Sequence, residues 1–300
     1  MPRESQESCS LVHVNPRSGK MAKTILVTGC SAGGIGAALA QALAAQGHNV
    51  FATARNTSKI PPELRALSNV SVLALDVSSA SSVADAAKAV REAGKGLDVL
   101  VNNAGIGYTM PVLDIDVDKA KRLYEANVWG PIRTIQAFSD LLMASKGRIV
   151  NVSILTTPTS ASYASSKAAL NSVSETLRLE LSPFGVSVVT VNLGTVATSF
   201  HANEPTPELP PTSHYTGILD TITKWAKGEA GPKGGPIKDL VNSVVPDVLG
   251  EGTGGVVWRG PNSGAVRFLS RWMPVWLLDM MMSNDQGLDE LSKALKAKSD

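Results

Sequence analysis

The sequence predicts an α/β fold in which one doubly wound parallel sheet of about seven strands carries helices on both faces. Three observations lead there. Between Lys23 and Asn192, short β-branched runs alternate with stretches of helical periodicity, the pattern of repeated βα units. A glycine-rich turn follows the first apolar run directly, where such sheets place a tight strand-to-helix connection. After Gly194 the rhythm breaks into proline- and glycine-rich segments, which read as an extended C-terminal lid beyond the carboxyl ends of the strands.

Taken in order, KTILVT (23–28) is the first strand. Ile35, Leu39, Ala42 and Leu43 then recur at helical spacing and stop at Gly47, a helix-ending glycine. HNVFAT (48–53) and VSVLAL (70–75) have the apolar, β-branched character of strands two and three. Val83, Ala87 and Val90 mark an amphipathic helix closed by Gly94. LDVLVN (97–102) and GRIVNV (147–152) are strands four and five, with one long helix between them across roughly Val117 to Ala144. Leu170, Val173, Leu177 and Leu181 form the apolar face of a helix that begins near Tyr163 and stops before Pro183. GVSVVTVN (185–192) is strand six. Residues 204–211 and 228–236 are loops, a short helix is expected over 216–227, and GGVVWRG (254–260) is a seventh strand. Right-handed crossovers then distribute the helices over both faces. The chain divides into a flexible tail (1–22), a core (23–200), and a lid with C-terminal extension (201–300) that belongs to the same domain.

Composition bounds the function. Three hundred residues at 43% hydrophobic content can bury a sizeable core. The 28 basic and 26 acidic residues are interspersed and leave a net charge of +2, with no basic patch for nucleic acid. Cys9 and Cys30 are the two cysteines, neither in a metal-ligand spacing, so no metal is expected and a reducing, cytoplasmic setting follows. The first twenty residues lack the apolar run of a secretory signal. No uncharged apolar stretch reaches membrane-spanning length; the nearest, FLSRWMPVWLLDMMM (268–282), is interrupted by Arg271, Pro274 and Asp279.

The turn TGCSAGGIG (28–36) supplies Gly29, Gly33, Gly34 and Gly36, residues that turn with positive φ or let backbone approach a pyrophosphate. The helix starting at Ile35 aims its free amides at the phosphates. At the end of strand two, Arg55 stands beside Ala54 where an acidic residue would hold the ribose hydroxyls of NAD. An arginine there pairs with a 2′-phosphate, which points to NADP(H), and Ser31 is placed to add a hydrogen bond. Asp76 ends strand three, positioned either to receive an adenine amino group or to cap the next helix, a role open also to Ser78 and Ser79.

These segments, with NNAG (102–105), NVWG (127–130), YASSK (163–167) and NLGTVAT (192–198), occur in the order and approximate spacing of the short-chain dehydrogenase/reductase family, which the chain resembles over about residues 23–200. The FATAR strand end is most similar to the fungal branch near acyl-dihydroxyacetone-phosphate reductases and 17β-hydroxysteroid dehydrogenase-like enzymes. The resemblance implies a Rossmann-type fold. It places Val77, Asn103, Ala104, Gly105, Gly194, Val196 and Thr198 along the cofactor cleft with the residues named above. Tyr163 is the implied acid/base, Lys167 its tuner and nicotinamide-ribose anchor, and Asn127 the support of a water-linked proton path. Residues four apart share a helix face, and a nearby ammonium favours a phenolate, which lowers the tyrosine pKa. Leu193 replaces the family's usual proline, which loosens that turn in expectation.

The family's catalytic serine stands about thirteen residues before the tyrosine, whereas Ser153 stands ten before Tyr163. Three alternatives follow: Ser153 takes the role, Thr156 or Thr157 substitutes, or the hydroxyl is absent. The apolar tail with Trp272, Trp276 and Met280 to Met282 is read as a helix covering the cleft or as a contact with an intracellular membrane or lipid droplet. The expected function is NADP(H)-dependent interconversion of a carbonyl and an alcohol on an apolar lipid, steroid-like or secondary-metabolite substrate. A non-redox cyclase, isomerase or dehydratase of the same fold is the alternative, and a nucleotide-sensing or membrane-surface binding protein the third. The resemblance also implies a homo-oligomer, dimer or tetramer, paired through the two long helices.

Overall fold

The computed structural model describes residues 21–154, 161–230, 233–251, 254–284 and 286–296. The expected N-terminal tail, apart from its last two residues, and Thr156 and Thr157 lie outside them. Among the described residues, seven strands form one sheet: β1 (Thr24–Val27), β2 (Asn49–Ala54), β3 (Val70–Ala74), β4 (Val99–Asn102), β5 (Arg148–Ile154), β6 (Ser187–Leu193) and β7 (Gly255–Arg259). Their order is β3-β2-β1-β4-β5-β6-β7, and every neighbouring pair is parallel.

The central strands are mostly apolar because both faces are covered, with polar residues concentrated toward the carboxyl ends of β4, β5 and β6. Ile25, Leu26 and Val27 of β1 are all fully buried. Alternate side chains enter opposite cores. Ile25, Val27, Val99, Val101, Val150 and Val189 pack with helices α1 (Ile35–Ala45) and α8 (Ile237–Leu249), while Leu26, Leu100, Ile149 and Val188 pack with α3 (Ala80–Glu92) and α5 (Gly130–Ala144). α2 (Pro62–Arg65) contributes Leu64 to the first core. Local chemistry sets the helix ends. Ser79 Oγ accepts from Ser82 N and starts α3, and Gly47 and Gly94 follow α1 and α3 at φ +86° and +67°.

The long helix expected over 117–144 is divided. α4 (Val117–Tyr124), started by Asp116, passes through a π turn at Glu125–Trp129 into α5. Pro131 has no amide hydrogen for the Asn127 carbonyl four residues earlier, and the helix widens there. α6 (Ala161–Leu181) carries both Tyr163 and Lys167. Beyond β6 the chain crosses the carboxyl ends of the strands, forms α7 (Leu219–Ala226) after a 3₁₀ turn at 216–218, and returns to the sheet as α8 and β7. α8 and β7 therefore belong to the sheet body. Asp247 of α8 binds Arg259 of β7 through two hydrogen bonds, at 2.7 and 2.8 Å, and its carbonyl accepts from Arg148 of β5 at 2.7 Å. Three helices end the described chain: α9 (Ser263–Trp272), α10 (Val275–Ser283) and α11 (Leu288–Lys296). Among the described residues no helix is long and apolar enough to cross a membrane.

β1 has β2 on one side and β4 on the other, so the loops leaving β1 and β4 diverge at their carboxyl ends and open a crevice. Phe138, fully buried between α5 and the sheet, is a test of the core under that crevice. Phe138→Ala is expected to cost about 3–5 kcal/mol in urea unfolding; a loss under about 1 kcal/mol would show that this face is not packed as described.

Candidate active site

The crevice is a cleft of about 1300 Å³ running from the glycine turn to α7. Its floor is stitched by polar side chains at the ends of β1 and β4. Thr28 Oγ1 accepts from the amides of Asn103 and Ala104, both at 3.0 Å, and donates to the Val101 carbonyl. Asn103 Nδ2 donates to the carbonyls of Thr28 and Gly29. Below it, Thr134 Oγ1 donates to Asn102, Asn102 to Asn151, and Asn151 to Ser174, a buried series joining α5, β4, β5 and α6. Each side chain of this series thereby keeps a partner, and the two strand ends hold a fixed separation.

Gly29 turns at φ +76°, and a Cβ on Gly36 would lie 2.5 Å from Asn103 Nδ2 and from the Gly29 carbonyl oxygen. These glycines allow the turn to close on β4. α1 begins at Ile35 without a side-chain cap, leaving its first amides directed toward the cleft end of the helix. Of the residues singled out from sequence, Gly29, Ser31, Gly34, Ile35, Arg55, Asp76, Val77, Asn103, Ala104, Gly105, Ser153, Tyr163, Lys167, Gly194, Val196 and Thr198 line the cleft. Gly33, Gly36 and Asn127 do not line it: Gly36 and Asn127 are buried, and Gly33 is exposed. Gly33 packs on Ser199, whose amide donates to the Gly33 carbonyl. Asp76 accepts from the Ser78 amide, and Ser79 is the residue that caps α3.

The second end of the cleft is built by α6 and β5. Lys167 is 5% exposed, and its Nζ donates to the Val152 carbonyl at 3.1 Å and lies 5.7 Å from the Tyr163 ring centroid. Ser153 falls within β5, opposite Asn192. Its hydroxyl is buried and has no hydrogen-bond partner among the described residues. Asn127, in the π turn, is fully buried and pairs twice with the Ile106 backbone, accepting from its amide at 2.9 Å and donating to its carbonyl at 3.0 Å. It also donates to Ser166 Oγ at 3.2 Å. The side chain thus fixes the loop after β4 to α6. Leu193 does not loosen the turn as expected. It retains an amide that proline lacks, β6 runs through it to pair with Arg259, and Gly194 N donates to the Arg259 carbonyl at 2.8 Å. A Cβ on Gly194 would collide with the Pro261 carbonyl oxygen.

Electrostatics also differ from the sequence expectation. Burial pulls the Lys167 amine down to about 8. The Tyr163 phenol is pushed up rather than down, first by burial and then by the negative charge of Glu204. An ammonium near the ring does not offset the loss of water around both groups. Sequence reasoning missed Glu204, His201 and Phe200, which reach the cleft beside Tyr163, and Lys59, which joins Arg55 at its other end. Phe200 packs on Tyr163 with ring centroids 5.4 Å apart. Lys59 had a signal, since it follows Arg55 by four residues on the turn whose carbonyl accepts from Ala32 N.

The depressed Lys167 pKa has a defined sign in stability. Between about pH 8 and the ordinary lysine value of 10.5, the unfolded chain still holds the proton that the folded protein has released, so this residue makes stability rise with pH across that window. Urea midpoints of the wild type relative to Lys167→Met should diverge upward from about pH 8 to 10; parallel curves would place the amine in water.

The chain matches the family model for short chain dehydrogenase over residues 23–208. It is 41% identical over 272 residues to the short-chain dehydrogenase ptmH of Penicillium ochrochloron, covering 89% of this chain and 98% of that one. It is 38% identical over 280 residues to the short-chain dehydrogenase cctT of Talaromyces islandicus, covering 90% and 98%. Among solved structures, a short-chain dehydrogenase from Burkholderia cenocepacia in complex with NADP superimposes with a TM-score of 0.69 at 25% identity, over 87% of this chain and 97% of that one. A short-chain dehydrogenase from Streptomyces avermitilis gives 0.73 at 26% identity, over 93% and 100%. Sequence, sheet order and the cleft at the carboxyl ends of β1 and β4 agree: the chain belongs to the short-chain dehydrogenase/reductase family of oxidoreductases.

Proposed function

We propose that the protein is an NADP(H)-dependent oxidoreductase that interconverts a carbonyl and an alcohol on an apolar substrate, with Tyr163 as the acid/base. The observation that carries this reading is a single cleft shared by the glycine turn, two cations and the trio Ser153, Tyr163 and Lys167. The residues present fit a dinucleotide. Gly29 and Gly34 leave backbone bare along one wall, and the uncapped start of α1 suits a pyrophosphate. Exposed Arg55 and Lys59 suit a 2′-phosphate, and the small Ala54 places no carboxylate at the end of β2 to repel it. The NADP held by the Burkholderia cenocepacia relative supports the same choice.

When bound, the nicotinamide supplies or takes the hydride. The chain's own residues position the carbonyl and move the proton. Ser153 Oγ, buried without a partner among the described residues, donates to the substrate oxygen. In the reductive direction Tyr163 delivers its hydroxyl proton to that oxygen as the carbon receives hydride, and in the oxidative direction it takes the proton back. The Lys167 amine, held by the Val152 carbonyl, stabilises the phenolate left behind. Asn127 positions this group by fastening Ile106 to Ser166. Residues 195–230 then act as part of the substrate lid, because Phe200, Glu204 and Trp225 reach the cleft from them.

Homo-oligomerisation is supported by exposed Val117, Trp129 and Leu179 on α4, the π turn and α6. Exposed Phe268, Trp272, Trp276 and Met280 on α9 and α10, with Arg271 among them, support peripheral contact of that arm with a membrane surface.

The test is NADPH and NADH oxidation with a panel of apolar ketones. NADPH should be preferred, and Arg55→Ala should narrow the preference. Tyr163→Phe should lower kcat by about 10²–10⁴-fold, and Ser153→Ala by about 10²–10³-fold. A preference for NADH would overturn the cofactor assignment, and full turnover by Tyr163→Phe would remove the phenol from the chemistry. Tight NADPH binding with no oxidation would favour the non-redox alternative.

A further inference from the structure

Glu204 lies in a proline-rich segment after β6, yet its side chain is only 2% exposed. It enters the cleft wall beside Phe200, which in turn packs on Tyr163. Position 107 is glycine, and a Cβ there would come within 2.7 Å of Glu204 Oε2 and 3.0 Å of Phe200 Cε1, so the loop after β4 approaches this carboxylate with bare backbone. One carboxylate oxygen is engaged. Oε2 meets His201 Nδ1 at 3.3 Å, and the same nitrogen lies 3.2 Å from the Ala226 carbonyl at the end of α7. The other oxygen, Oε1, is buried with no hydrogen-bond partner among the described residues.

A buried carboxylate oxygen without a donor is costly, and the cost is removed by whatever supplies one. We infer that Glu204 forms a subsite at the substrate end of the cleft that accepts a hydrogen bond from a neutral hydroxyl group, alcoholic or phenolic, carried by the substrate. The inference deepens the carbonyl–alcohol reading above and rests on it for the meaning of substrate. Its chemistry follows from the neighbours. The hydrogen bond to Glu204 raises the His201 pKa, and the imidazole also stands at the carboxyl end of α7, where the helix dipole favours a cation. With His201 protonated the pair carries no net charge. A second cation on the ligand would meet that imidazolium, whereas a hydroxyl satisfies Oε1 without adding charge. The aromatic faces of Phe200 and Tyr163 adjoin the same place, so the donor belongs on an otherwise apolar, ring-bearing molecule. Glu204 is thereby a specificity residue: it selects which carbonyl compounds are held with their reacting oxygen near Tyr163 and Ser153.

The experiment measures calorimetric binding of α-tetralone and a set of its ring-hydroxylated and ring-aminomethylated derivatives to the protein loaded with NADP⁺, so that no turnover occurs. At least one hydroxylated isomer should bind about 10–100-fold more tightly than the parent, the strength of a hydrogen bond to a charged acceptor. Glu204→Leu should bring that ratio close to one, and Glu204→Gln, which keeps an acceptor oxygen, should restore part of it. NADP⁺ affinity of each variant reports that the fold is intact. The inference is overturned if no hydroxylated isomer outbinds the parent, if the preference survives in Glu204→Leu, or if the aminomethyl compounds bind best. Failure of the carbonyl–alcohol reading is seen separately, as absence of NADPH oxidation with every ketone.

Discussion

The site depends on keeping an amine and a phenol out of water side by side. Lys167 Nζ donates to the Val152 carbonyl and has the Tyr163 ring as its neighbour, and no carboxylate is paired with it among the described residues. Burial disfavours the charged form of each group, so the amine becomes easier to deprotonate and the phenol harder. Such a pair persists only where the surrounding fold holds it rigidly. Here it is held by α6 on one side and the end of β5 on the other, two elements that also share the Asn151–Ser174 hydrogen bond beneath the cleft.

The same need for a fixed frame accounts for the buried polar residues at the strand ends. Thr28 and Asn103 bind β1 to β4, the asparagine series binds β4 to β5 and α6, and Asn127 binds the loop after β4 to α6 through Ser166. These groups are polar because they hold irregular backbone where the ladder ends and side chains must supply the missing partners. The cleft then occupies the gap between β1 and β4 that the sheet order creates.

Much of this was legible in the sequence. Predominantly apolar strands, glycines at Gly47 and Gly94, and the four-residue spacing of Tyr163 and Lys167 each have a local cause, and each appears in the structure where that cause puts it. The division of the long helix was present in the Gly130–Pro131 pair but is outweighed in a periodicity reading by the apolar residues on both sides. The direction of the Tyr163 shift was not legible, because spacing reports proximity to Lys167 and says nothing of desolvation. Glu204 was hidden for a related reason. In EPTPELPP it reads as a solvated loop residue, and its burial depends on Gly107, Phe200 and the end of α7, which meet only in the folded chain.

Whether burial governs the pair is most directly measured by an ultraviolet tyrosinate titration of the cofactor-free protein, subtracting that of Tyr163→Phe. Tyr163 is expected to ionise above the ordinary tyrosine value of 10.0. A Tyr163 signal that titrates below that value in the absence of any ligand would contradict the environment described for it.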